Sequence, residues 1–96
     1  MSDEILIPDD LRQSYLERRS KDILTLTHAV QINNFDAFKQ IGHQLKGNAL
    51  TFGYSELAQI AVLMEQAGES QDRDESLKII ESFKAWLAGV HTSSLH

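Results

Sequence analysis

The sequence predicts an all-α fold: an antiparallel up-down-up-down four-helix bundle with a short N-terminal lead-in. Three observations predict it. Apolar residues recur at spacings of three, four and seven along four separate stretches, which is the period of an amphipathic helix. No stretch alternates apolar and polar residues as a half-buried strand would. The segments between the helical stretches are short, and short connections make successive helices antiparallel neighbours. The 96 residues read as a single domain, 1–96, with no internal repeat or low-complexity tract.

Each element follows from its residues. In the lead-in, Ile5, Leu6 and Ile7 are apolar and can pack across a bundle end or lie near a binding face. Pro8 suits a first helical turn, where its missing N–H is no loss, and Asp9 and Asp10 favour the positive helix N-terminus. The first helix is predicted over about 8–32, with Leu16, Ile23, Leu26 and Val30 inward. Asn33 and Asn34 break it, and Asn34 is a good N-cap for the next helix. The second helix, about 35–51, turns Phe38, Ile41, Leu45, Ala49 and Phe52 to the core. Gly53 closes it in the left-handed conformation common just past a helix end. The third helix starts near Ser55 as N-cap and runs to about 67, with Leu57, Ile60, Met64 and Ala67 inward and Gly68 ending it. Residues 69–74 read as the longest loop. The fourth helix, about 75–90, buries Ile80, Phe83, Leu87 and Val90, with Ile79 and Trp86 on the margin of its stripe. Residues 91–96 read as a frayed tail.

Composition narrows the function. Hydrophobic residues make up 42%, enough for a core and too many for a disordered chain. There is no cysteine, so disulfides and thiolate metal sites are excluded. Four histidines without cysteine are too scattered for usual metal-ligand spacing, and no metal site is assigned. A net charge of −5 argues against nucleic acid or an anionic membrane as partner. No apolar run approaches the roughly 20 residues that span a bilayer. The start Met1-Ser2-Asp3-Glu4 lacks the basic residues of a signal peptide, so a cytoplasmic protein is expected. The charged outer faces favour a monomer.

The second helix carries the chemistry, in Gly42-His43-Gln44-Leu45-Lys46-Gly47-Asn48-Ala49-Leu50. Each glycine inside a helix costs roughly 1 kcal/mol relative to alanine, which suggests that bare backbone is needed beside the histidine. At about 100° per residue, His43 points away from the apolar stripe. Lys46 and Gly47 are its neighbours at three and four, and Lys39 and Leu50 share the same outer face as possible docking residues. Gly42 lies nearer the stripe's edge, where close helix packing and partner access are equally open. An exposed imidazole is a competent nucleophile at neutral pH, and a lysine beside it can offset phosphoryl charge. A lone histidine on a polar face is ordinarily just a surface residue. His28 is such a case, with Gln31 and Ile32 where His43 has Lys46 and Gly47.

His43-x-Leu45-Lys46-Gly47-x-Ala49-x-x-Phe52-Gly53 resembles the motif of the histidine phosphotransfer (HPt) domain family. The resemblance extends to Leu57-Ala58-x-Ile60-Ala61-x-Leu63-x-Glu65-x-x-Gly68, and back to Tyr15–Arg19 and Asn34-Phe35-Asp36. It implies that His43 is phosphorylated, that Lys46 assists the phosphoryl group, and that Gly47 gives a partner access. Gly42 departs from the family, where alanine or another small residue is common, and is grouped with Gly47 as a possible access residue. Glu65 matches a polar position facing the histidine, where it can accept a hydrogen bond from Nδ1–H and leave Nε2 free.

The expected function is a phosphocarrier in a two-component phosphorelay, taking a phosphoryl group from a receiver-domain aspartate and passing it to another. The partners implied are response-regulator receiver domains, with a histidine kinase as a further possibility. The carrier is expected to need no cofactor, magnesium being supplied by the receiver, and to lack kinase or ATPase activity. No phosphate-binding Gly-x-x-x-x-Gly-Lys-Ser/Thr loop is present. The alternatives are a non-catalytic helical adaptor using the same face and a domain labelled directly by a kinase. A methionine start on a single-domain chain favours the free-standing carrier.

Overall fold

The periodicity of the sequence is realised as four helices in the computed structural model, which describes residues 7–93. They are α1 (Asp9–Gln31), α2 (Phe35–Thr51), α3 (Ser55–Ser70) and α4 (Arg73–Ser93). Each packs beside its successor, and α4 returns to α1, closing the bundle. No strand occurs among the described residues. Ile5 and Leu6, expected to contribute from the lead-in, lie outside the described residues.

The same device closes all three turns. In each, one residue adopts a left-handed conformation: Asn33 (φ 59°), Gly53 (φ 82°) and Gln71 (φ 55°). The next residue's N–H then reaches the carbonyl five residues back: Asn34 to Ala29 at 2.8 Å, Tyr54 to Ala49 at 2.8 Å, and Asp72 to Ala67 at 3.1 Å. These bonds satisfy helix-end carbonyls that would otherwise be orphaned.

Several boundaries differ from expectation. Gly68 does not end α3, which continues to Ser70 with Gln71 in the left-handed position. The loop expected over 69–74 shrinks to residues 71–72. Asp72 then caps α4, its Oδ1 accepting from the Glu75 N–H at 3.0 Å. At the far end α4 runs on through Ser93, so residues 91–93 are helical rather than a tail. Asn34 precedes α2 and Tyr54, rather than Ser55, precedes α3, but neither makes a side-chain capping bond.

The predicted inward stripes meet in one core. Leu26, Phe38, Leu57, Met64 and Phe83 are fully buried, and Leu45 and Ile80 nearly so. Ile41, Phe52, Ile60 and Val90 are only partly buried, packed against its margin. Ile79, expected at that margin with Trp86, is buried at 3% exposure, whereas Trp86 stays partly buried with its ring edge-on to Tyr54.

Named contacts set the register. Between α1 and α2, the Tyr15 hydroxyl donates to Asn48 Oδ1 at 2.7 Å, and its ring stacks on Phe52 at 4.1 Å between centroids. Within α1, the Arg19 guanidinium lies 4.2 Å from the Tyr15 ring and 2.8 Å from the Asp22 carboxylate. Burial raises the Asp22 carboxyl above its ordinary range, with Arg19 partly opposing the shift. At the opposite end of α1, Arg73 donates to the Val30 carbonyl and to Asn33 Oδ1, tying α4 to the first turn.

Helices α2 and α3 come closest. Gly42 lies against Ala61 and Glu65, and Gly68 lies against Phe35 and Lys39. Rising numbers on one helix meet falling numbers on the other, as antiparallel packing requires. This seam carries the candidate site on its outer side.

Candidate functional site

His43 sits in the third turn of α2, on the side away from the core, with its side chain 71% exposed. It is exposed because the residues that anchor α2 (Phe38, Leu45 and Ala49) lie on the opposite side of the helix. Glu65 comes from the middle of α3 and is mostly covered, its side chain 18% exposed. One carboxylate oxygen, Oε2, lies 3.0 Å from His43 Nδ1, and the other, Oε1, accepts from Lys46 Nζ at 2.7 Å. A single carboxylate thus holds both candidate side chains of α2, His43 and Lys46.

The electrostatics set the tautomer. The hydrogen bond from Lys46 does most to hold the Glu65 carboxyl below its ordinary 4.5; desolvation opposes it, and the contact with His43 is a lesser lowering effect. An ionised carboxylate can only accept. The proton of a neutral His43 ring therefore lies on Nδ1, leaving the Nε2 lone pair on the exposed edge. The arrangement can present a neutral, oriented nucleophile with a cation about one turn away.

The glycines divide. A Cβ added at Gly47 would meet nothing within 4 Å, so the helix surface one turn past His43 is bare. Gly42 is buried, and its missing Cβ faces the α3 backbone rather than solvent. The access role considered for Gly42 is therefore corrected to close helix packing. Lys39 and Leu50 are both exposed, Leu50 at 61%, on the His43 side of α2. A shallow concavity of about 360 Å³ adjoins the histidine, lined by Lys39, Gln40, His43, Gln44 and Glu65. Gln40 and Gln44 were not singled out from sequence, although each lies within one turn of His43. His28 is exposed and apart from the site.

Among the described residues, no three His, Asp or Glu side chains gather where they could hold a metal ion. No helix there is long and apolar enough to cross a membrane.

No curated protein and no solved structure matches the chain. The family model described as the Hpt domain does match, over residues 10–93, which takes in every helical residue of the bundle except Asp9. With a match of that extent over four helices and an exposed histidine on the second, the chain belongs to the Hpt domain family.

Proposed function

We propose that this protein is a phosphoryl carrier that accepts a phosphoryl group on His43 Nε2 from a receiver-domain aspartate and passes it to an aspartate of a second receiver. Membership of the Hpt family supports histidine phosphotransfer in general terms. The observation that carries the finer reading is the exposed His43 imidazole whose Nδ1 is held by Glu65 while Lys46 shares the same carboxylate.

The step balances without a base. The Nε2 lone pair forms the N–P bond, and the P–O bond to the donor aspartate breaks, its electron pair leaving on that carboxylate. The proton stays on Nδ1, and the ring, now phosphorylated, becomes cationic. Glu65 stabilises that cation through the existing contact. Lys46, within reach of both Glu65 and the ring's surroundings, offsets charge on the incoming phosphoryl group. Transfer onward is the reverse, with the N–P pair returning to Nε2. The receiver brings the magnesium ion. The partner approaches over Gly47, where no side chain stands, with Leu50 and Lys39 as contacts flanking the histidine.

The test is transfer from a phosphorylated receiver to the purified protein, with acid-labile label and added mass as readouts. Wild type takes up label, and His43→Ala takes up none while keeping its helicity. Label arriving only from a kinase with ATP moves the protein to the kinase-substrate class. Receivers that bind with equal affinity to both forms, with no phosphate moving, leave an adaptor.

A further inference from the structure

The α2–α3 seam contains two notches of nearly equal depth. A Cβ on Gly42 would stand 2.7 Å from the Glu65 backbone nitrogen, 2.8 Å from the Ala61 carbonyl oxygen and 3.1 Å from the Glu65 Cα. A Cβ on Gly68 would stand 2.5 Å from the Lys39 nitrogen, 2.8 Å from the Phe35 oxygen and 3.0 Å from the Lys39 Cα. Every one of these atoms is backbone, so no side-chain rotation can relieve the clash. The helices themselves must separate.

The two notches differ in what they seat. Gly68 seats the start of α2, which contributes no bonding partner to His43. Gly42 seats the residue that bonds His43. Ordinary contact needs about 3.4 Å or more between such atoms, so an added Cβ at Gly42 drives the Glu65 backbone back by roughly 0.7 Å. The Glu65 bonds to His43 at 3.0 Å and to Lys46 at 2.7 Å have no such reserve, since N–H···O bonds weaken beyond about 3.2 Å.

We infer that Gly42 is a positioning residue for the phosphoacceptor: by admitting the Glu65 backbone it delivers the carboxylate to His43 Nδ1 and Lys46 Nζ, and so fixes which ring nitrogen is free. The glycine next to the histidine acts through the neighbouring helix rather than through the partner. This rests on the reading of His43 as a nucleophile through Nε2. The charged groups on the His43 side of the seam are Glu65 from α3, with Lys39 and Lys46 from α2. Of these, only Glu65 can accept a hydrogen bond from Nδ1–H.

The experiment labels the histidines with ¹⁵N and reads the imidazole shifts at about pH 8.5, some two units above the ordinary histidine value of about 6.5. His43→Gln identifies the His43 signals. Wild type shows the Nδ1–H tautomer. Gly42→Ala moves His43 toward the Nε2–H form, as Glu65→Ala does, and slows uptake from a phosphorylated receiver by about ten- to a hundredfold. Gly68→Ala lowers the melting temperature comparably but keeps the wild-type tautomer. Adding Gly42→Ala to Glu65→Ala moves the tautomer no further. The inference is overturned if Gly42→Ala keeps the Nδ1–H form, if Gly68→Ala shifts it as far, or if the double variant shifts beyond Glu65→Ala. If Gly42→Ala does not fold in buffer, it is measured in trimethylamine oxide, which strengthens burial. Failure to fold there as well overturns the inference, because Gly42 then serves assembly. The tautomer reading needs no phosphodonor. A wild type that takes no phosphate, yet loses its tautomer in Gly42→Ala, keeps the positioning role and removes the carrier function.

Discussion

Glu65 bonds both His43 and Lys46, and its titration reports on both contacts. A carboxylate whose folded value is depressed stabilises the fold above its unfolded value, and that contribution disappears as the group is protonated. The Glu65 contribution is therefore present at neutral pH and is lost as the pH falls through and below the ordinary 4.5. Glu65→Gln is expected to melt below wild type at pH 7, with the gap closing as the pH approaches 3. Thermal melts across that range check it, and a gap that widened in acid would contradict the assigned bonding. The shared face of the candidate residues on α2 was legible because their relation is local: Lys46 and Gly47 lie three and four residues after His43 on one helix. Glu65, 22 residues on, was visible only as a family position, since nothing in its own stretch distinguishes it from a charge on a helix flank.

Elements α2 and α3 give glycine three different meanings. At Gly47 a Cβ enters open space, so Gly47→Ala is expected to stabilise the protein by up to about 1 kcal/mol through helix propensity. Gly47→Leu is expected to keep the fold and, under the proposed carrier function, to slow transfer from a receiver, because its side chain would stand on the bare surface beside His43. Denaturant unfolding beside a transfer assay separates the two effects. At Gly68 the missing Cβ makes room for α2, which explains why it failed as a helix-end signal. The true end, Gln71 at φ 55°, carries no side chain that favours that conformation. Gln71→Gly is expected to raise stability by about 1 kcal/mol, the cost of a left-handed conformation for an ordinary residue. Gly53 was readable as a turn because residue type and conformation agree there, and Asn33 and Asn34 were readable as a break for the same reason.

The whole molecule rests on one core fed by all four helices, so its disruption should be global. Phe83 is fully buried, and Phe83→Ala is expected to remove about 3–5 kcal/mol from a total of about 5–15 kcal/mol. Circular dichroism should show a single transition at a much lower temperature. His43→Ala, exposed and outside that core, should shift the same transition far less, through its Glu65 contact alone. The candidate site thus keeps its proposed acceptor outside the core, while the α2–α3 seam that carries Glu65 is part of the fold.

The sequence by itself determined the four helices, their inward stripes, and the placement of His43, Lys46 and Gly47 on the outer side of α2. Those are consequences of a period of 3.6 residues, which acts within one helix and needs no knowledge of its neighbours. Only the tertiary structure decided that Glu65 reaches both His43 and Lys46, and that Gly42 and Gly68 face a backbone while Gly47 faces open space. The physical reason is that a missing Cβ looks the same in sequence whatever lies opposite it. What lies opposite is fixed by how closely two helices pack, a property of the pair.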